Sequence, residues 1–208
     1  MKKVLLLTLA ALLAASQSRA QSSPAPASPA GVHVGAPKFM PEEIAGRELK
    51  DIDGRAFRLS DFGGRVYVLN IWATWCGPCR LEIPGINKLR EDYARRGVEF
   101  VGLTTEDPEL DFEKVRGFAR ELRVSYRLGW LDRETARVMT SWGPPRSGPP
   151  RPGLSLPQTF VVAADGQIVL HIRGYNARVP DMIRGGVEKA LGLAPAAPAP
   201  ETLPAPGA

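Results

Sequence analysis

The sequence predicts an α/β fold in which a central mixed β-sheet is flanked by helices and preceded by an N-terminal β-hairpin extension. Two patterns carry this expectation. Dense apolar runs bounded by glycine alternate with amphipathic stretches, the signature of strands joined through helices. The last two apolar runs are instead joined through Asp165-Gly166, a tight-turn signal that makes them an antiparallel pair. A sheet with both kinds of connection is mixed.

The elements follow in order. Arg47 to Leu59 reads as a hairpin around Asp53-Gly54, with Leu49, Ile52, Phe57 and Leu59 as its apolar members. Val66 to Trp72, bounded by Gly63-Gly64, reads as a strand buried on both faces. A helix is expected from about Cys76 to Arg96, ended by Gly97, and a second buried strand from Val98 to Thr104. Phe112 to Leu122 has helical spacing, with Val115, Phe118, Ala119 and Leu122 on one face. A short strand near Tyr126 to Gly129 and a helical stretch from Asp132 to Ser141 come next. Gly143 to Gly153 is a loop by its Pro and Gly content. Thr159 to Ala163 and Ile168 to Ile172 form the terminal strand pair, and Val179 to Leu191 closes the domain as an amphipathic helix.

The domain is expected over residues 38–193. Before it, residues 1–20 read as a signal peptide: Lys2 and Lys3, an apolar run from Val4 to Ala15, then Ser18-Arg19-Ala20. That run falls short of the roughly 20 residues a membrane span needs. An uncleaved signal anchor is the alternative to cleavage. Residues 21–37 are a Pro/Ser/Ala tether and residues 194–208 an Ala/Pro tail, both too poor in apolar surface to fold alone. The expected location is therefore the periplasm or the outer face of the inner membrane. The formal charge of +5 falls to +2 without Lys2, Lys3 and Arg19. With its arginines scattered among acids, the chain does not read as a nucleic-acid binder.

Its two cysteines, Cys76 and Cys79, stand two residues apart. They form either a catalytic or regulatory disulfide or a structural staple, and a staple closing so short a loop removes little chain entropy. A buried strand delivers the chain to a turn from which a helix begins at Cys76. Unpaired N–H groups and the helix dipole there favour an anion, which lowers the thiol pKa. Cys79 is one turn further on, placed to resolve a mixed disulfide on Cys76.

Taken together, the hairpin through Asp53-Gly54, Leu59-Ser60-Asp61-Phe62-Gly63-Gly64, Asn70-Ile71-Trp72-Ala73-Thr74-Trp75, the cysteine pair, Glu82 with Pro84, and Leu156-Pro157-Gln158-Thr159-Phe160 before Asp165-Gly166 resemble the thioredoxin superfamily, and within it the exported TlpA/ResA/CcmG group of thiol-disulfide oxidoreductases. The resemblance implies a thioredoxin-like fold and a redox-active disulfide with no organic cofactor and no metal. It implies Cys76 as nucleophile, Cys79 as resolving thiol and a protein-disulfide reductase acting on apo-cytochrome c, a metal-site protein or another exported partner. Electrons would come from a membrane donor of the DsbD or CcdA type. It further implies that Pro157 is a cis proline facing the cysteines, so that Leu156 and Pro157, with Trp75, Gly77 and Pro78, form the substrate-binding rim. A monomer is expected.

Other positions carry paired readings. Glu82 shares a helix face with Cys79 and either manages its proton or is an exposed acid near the helix start. Ordinary thioredoxins keep a buried Asp where this chain has Asn70, which cannot carry a proton. Pro84 either kinks the helix functionally or bends it for packing. Trp72 is read as core and Trp75 as the rim of the turn. Thr74 and Arg80 either tune the field at Cys76 or are solvated. The Gly143 to Gly153 loop either contacts the partner or is a tolerated insertion. Zinc would need four ligands, with only His33 and His171 available beyond the cysteines. Covalent haem would need His where Arg80 stands. A peroxide-reducing redoxin needs a Pro and a Thr at fixed spacing upstream of its reactive cysteine, and no Pro stands at that spacing here. A general disulfide oxidant or isomerase, and a non-catalytic binding module, are the competing functions. The Gly-Pro between the cysteines favours reduction, because thioredoxin has the same turn.

Overall fold

The computed structural model describes residues 31–32, 36–140, 142 and 155–193. The expected signal peptide, most of the tether, the Gly143 to Gly153 loop and the C-terminal tail lie outside the described residues. Eight strands and five helices are present among the described residues: β1 (Gly31–Val32), α1 (Glu42–Ala45), β2 (Leu49–Lys50), β3 (Ala56–Phe57), β4 (Tyr67–Trp72), α2 (Gly77–Tyr93), β5 (Glu99–Thr104), α3 (Phe112–Glu121), β6 (Arg127–Trp130), α4 (Arg133–Thr140), β7 (Gln158–Val162), β8 (Ile168–Arg173) and α5 (Val179–Ala190).

Six strands form one mixed sheet in the order β1-β8-β7-β4-β5-β6. β4, β5 and β6 are parallel, and β7, β8 and β1 complete the sheet antiparallel. β4 lies between β5 and β7, and all six of its residues are buried, as its unbroken apolar run requires. β2 and β3 pair separately as the small hairpin, Leu49 opposite Phe57. Its turn is held by the Asp51 carboxylate, which accepts from the N–H groups of Asp53 and Arg55. Gly54 there takes a φ of 82°, a conformation glycine adopts without a Cβ clash.

Side chains of β4 alternate between two layers. Tyr67, Leu69 and Ile71 face the layer of α1, the hairpin and α4, with Ile44, Phe57, Met139 and Phe160. Val68 faces α2 and α5, with Ile86, Leu89, Ile183 and Val187. Trp72, on that same side, stacks on Phe118 of α3 at 4.9 Å between ring centres.

Three features depart from the sequence expectation. Gly31–Val32, inside the stretch read as a tether, adds an edge strand to β8. Within the expected domain, Met40 N–H donates to the Gly166 carbonyl at 2.9 Å. Edge pairing uses backbone groups alone, so a two-residue strand leaves no side-chain pattern to read. The four-residue helix α1 is likewise too short to show a period. α2 stops at Tyr93, and Ala94–Arg96 tighten into a 3₁₀ turn before Gly97, which has a φ of 69°.

Candidate active site

The site is built at the junction of β4 and α2. Cys76 is the N-cap of α2, with extended backbone angles, and its Sγ accepts the Cys79 N–H at 3.2 Å. Its carbonyl accepts from the N–H groups of Cys79 and Arg80 at 3.1 and 3.3 Å. Pro78 falls in the first turn of the helix, where its missing N–H breaks no bond. Cys76 and Cys79 are joined as a disulfide with Cα atoms 5.3 Å apart. Cys76 retains 5% exposure and Cys79 none, so attack from outside reaches the first sulfur.

The rim gathers from distant segments. The Leu156–Pro157 peptide bond is cis. Leu156 packs against the cluster holding both cysteines, Trp72, Ile83 and Phe118. Trp75 stands 67% exposed beside the turn, while Trp72 is buried in the core. Arg80 does not turn to the sulfurs: it pairs with Glu121 and covers the Phe118 ring at 4.8 Å.

Beneath the disulfide lies Glu82, 1% exposed, which excludes its reading as a solvated surface acid. Asn70 of β4 and Thr159 of β7 are register partners, so their side chains rise together from the sheet towards α2. Asn70 Nδ2 donates to Glu82 Oε2 at 2.8 Å, and Thr159 Oγ1 donates to Oε1 at 2.8 Å. Burial pushes the Glu82 carboxyl up to about 7, with the bonds from Thr159 and Asn70 offsetting part of the rise. A carboxyl that titrates near neutral pH can accept and return a proton.

On the far side of Asn70 in the sheet is Gly102, its register partner in β5. A Cβ there would stand 2.8 Å from Leu128 Cδ2 and 3.0 Å from both Trp72 Nε1 and Tyr126 Cε2. Gly102 thus lets two large aromatic rings close over the sheet beside Glu82. Burial and the Glu82 charge push the Tyr126 hydroxyl pKa well up. Asn70 Oδ1, Trp72 Nε1 and the Tyr126 hydroxyl are buried without a hydrogen-bond partner among the described residues.

A second carboxylate, missed in the sequence, holds the other side of the turn. Glu106 lies two residues past the end of β5 and is 7% exposed. Its Oε2 accepts from the Thr74 N–H at 3.0 Å and Thr104 Oγ1 at 2.8 Å, and Thr74 Oγ1 donates to Oε1. Lys114 Nζ lies 2.9 Å from it. Burial works to raise its pKa, but the bonds from Thr74, Lys114 and Thr104 outweigh it and hold the carboxyl below its usual range. Thr74 is therefore clamped, not solvated. Its signal was positional: an acid just past the carboxyl end of a buried parallel strand, where sites in such sheets gather.

Among the described residues no group of three or more His, Cys, Asp and Glu could hold a metal ion. His171 is a core residue, stacked on Phe160 at 4.1 Å with its Nε2 3.0 Å from Gln158 Oε1. His33 lies outside the described residues. No described helix is long and apolar enough to cross a membrane.

A cysteine pair at the start of the helix that follows the central strand, with a cis Leu156–Pro157 bond leading into the antiparallel neighbour β7 and Leu156 packed against the pair, defines a protein of the thioredoxin superfamily. The chain belongs to the Redoxin family, whose model matches residues 24–184. It is 34% identical over 126 residues to the thiol-disulfide oxidoreductase ResA of Geobacillus thermodenitrificans, covering 61% of this chain and 64% of that protein. To a ResA of Bacillus cereus it is 29% identical over 140 residues, covering 67% of this chain and 71% of that protein. The chain thus spans just under two thirds of the first of these relatives. Its fold is similar to a thiol:disulfide interchange protein of the thioredoxin family from Chlorobium tepidum TLS, with a TM-score of 0.56, 26% identity and 78% and 99% of the two chains covered. A putative DsbE from Chlorobium tepidum shares the fold with a TM-score of 0.58 at 21% identity, over 78% and 99% of the chains.

Proposed function

We propose that this chain is an exported thiol-disulfide oxidoreductase that reduces disulfides in a protein partner. The observation that supports it best is the Cys76 sulfur held at the start of α2, facing the Cys79 N–H. In the reduced protein the same N–H and the helix dipole stabilise a Cys76 thiolate.

The thiolate attacks one sulfur of the partner disulfide, forming a Cys76–partner bond and releasing the other partner sulfur as a thiolate. Glu82 takes the Cys79 proton. The Cys79 thiolate then attacks Cys76 Sγ, breaking the Cys76–partner bond, closing the Cys76–Cys79 disulfide and releasing the second partner sulfur as a thiolate. Two electrons have passed to the partner, and a dithiol donor at the membrane must return them. The partner segment lies along Trp75, Gly77, Pro78, Leu156 and Pro157. The ResA relatives, named thiol-disulfide oxidoreductases, support this assignment. Apo-cytochrome c or a metal-site protein is the partner class proposed with it.

Substitution tests the sequence of steps. Cys79→Ser should leave the Cys76 adduct unresolved, so that a partner accumulates as a mixed disulfide recovered on non-reducing gels and released by dithiothreitol. Cys76→Ser should trap nothing. Equal trapping by both variants, or full reductase turnover in Cys76→Ser, would contradict the mechanism.

A further inference from the structure

A basic stretch on α3 and the turn after it plays no part in the redox chemistry. Between positions 114 and 127 the chain carries Lys114, Arg116, Arg120, Arg123 and Arg127 against a single acid, Glu121. Lys114 is committed to Glu106, and Glu121 to Arg80. The four arginines have no carboxylate within ion-pair reach among the described residues. Arg127 lies over the Phe57 ring, 5.1 Å from its centre, and Arg116 over the Phe112 ring at 5.3 Å. Arg116, Arg120 and Arg123 line a cavity of 360 Å³ with Val124 and Leu128 among its walls and Asp53 as its one acid.

Two local features oppose this clustering. Arg116 and Arg120 stand one helical turn apart, where like charges repel. Arg123 has a φ of 50°, the left-handed conformation. It occupies the position just past the end of α3, with its N–H donating to the Arg120 carbonyl at 3.1 Å and the Val124 N–H to the Ala119 carbonyl at 2.9 Å. Glycine is the residue that takes such a cap without a Cβ penalty. The chain instead holds a third guanidinium at the cavity.

We infer that Arg116, Arg120 and Arg123 form a binding site for a phosphate group. Guanidinium forks match phosphate oxygens in pairs, and three of them against one Asp suit a ligand with up to two negative charges better than a lone carboxylate. All three arginines are exposed at the cavity, so the phosphate can belong to a soluble molecule or to a lipid headgroup.

The test uses the full chain, Arg120→Ala and Arg123→Gly, the second chosen because glycine suits that backbone and should keep or raise the melting temperature. Pyrophosphate binding by calorimetry, and co-sedimentation with phosphatidylglycerol against phosphatidylcholine vesicles, are measured at low salt. The expected result is saturable binding of one probe that weakens about tenfold in each variant and fades with salt. Pyrophosphate binding assigns a soluble ligand. An arginine-dependent preference for phosphatidylglycerol without pyrophosphate binding assigns a headgroup. Binding of neither probe, binding that both variants retain, or capture of an acidic peptide in place of both phosphate probes would overturn the proposal.

Discussion

Asn70 donates a 2.8 Å hydrogen bond to the buried Glu82 carboxylate from the middle of the central strand, one helical turn below the resolving cysteine. The amide cannot itself move a proton, but it fixes the group that can. Glu106 lies on the other side of the turn with its pKa held down, whereas that of Glu82 is raised. Environments that drive two carboxyls apart in this way assign them different tasks. In the proposed mechanism Glu82 exchanges protons, and Glu106 remains a fixed anion that anchors Thr74.

Glu82→Gln tests the first task. The wild-type thiol reactivity should carry an inflection near pH 7, and the variant should lose it. Alkylation rates from pH 5 to pH 9 read this directly, and identical profiles would contradict it.

The same substitution has a thermodynamic signature. The folded pKa of about 7 lies above the ordinary value of 4.5. The folded state therefore binds the proton more tightly than the unfolded chain between those values. The Glu82 contribution to stability is fullest below pH 4.5, falls as the pH rises to about 7 and levels off above it. Glu82→Gln should flatten this slope, worth about 3 kcal/mol. Urea unfolding at pH 4.5 and pH 8 measures it, and a slope that persists in the variant would contradict the assignment.

Glu106→Gln should act with the opposite sign. Stability from Glu106 is present above the ordinary carboxylate range and lost as the pH falls through its lowered pKa. The variant should be about 1–3 kcal/mol less stable at pH 7 and nearer to wild type under acid conditions. Amide exchange at Thr74 should quicken. Unchanged protection there would show that the clamp is not used.

How much of this was legible follows from the range of each signal. The apolar run of β4, the turns at Asp53-Gly54 and Asp165-Gly166, and the cysteine pair are local patterns, and the elements they announce are present. The spacing of Glu82 from Cys79 placed it on the right face of α2 but could not decide its burial. That depends on Thr159, 77 residues further on, which meets Asn70 only through the β4–β7 register. Glu106 was hidden for the same reason: its partners Thr74 and Lys114 come from separate elements.

Gly102→Ala probes the packing that shelters Glu82. The added methyl would sit within 3.0 Å of Leu128, Trp72 and Tyr126. A loss of about 1–3 kcal/mol is expected, seen as a lower urea midpoint with an unchanged slope. A stability equal to wild type would show that the aromatic rings are not confined there.

The most direct test of the proposed reductase is the reduction potential of the Cys76–Cys79 couple, set by equilibration with dithiothreitol or glutathione and read by thiol trapping. A reductase should show a value below roughly −230 mV, within the reach of reductants that require an electron supply. A value near about −120 mV, that of a strong oxidant, would contradict it.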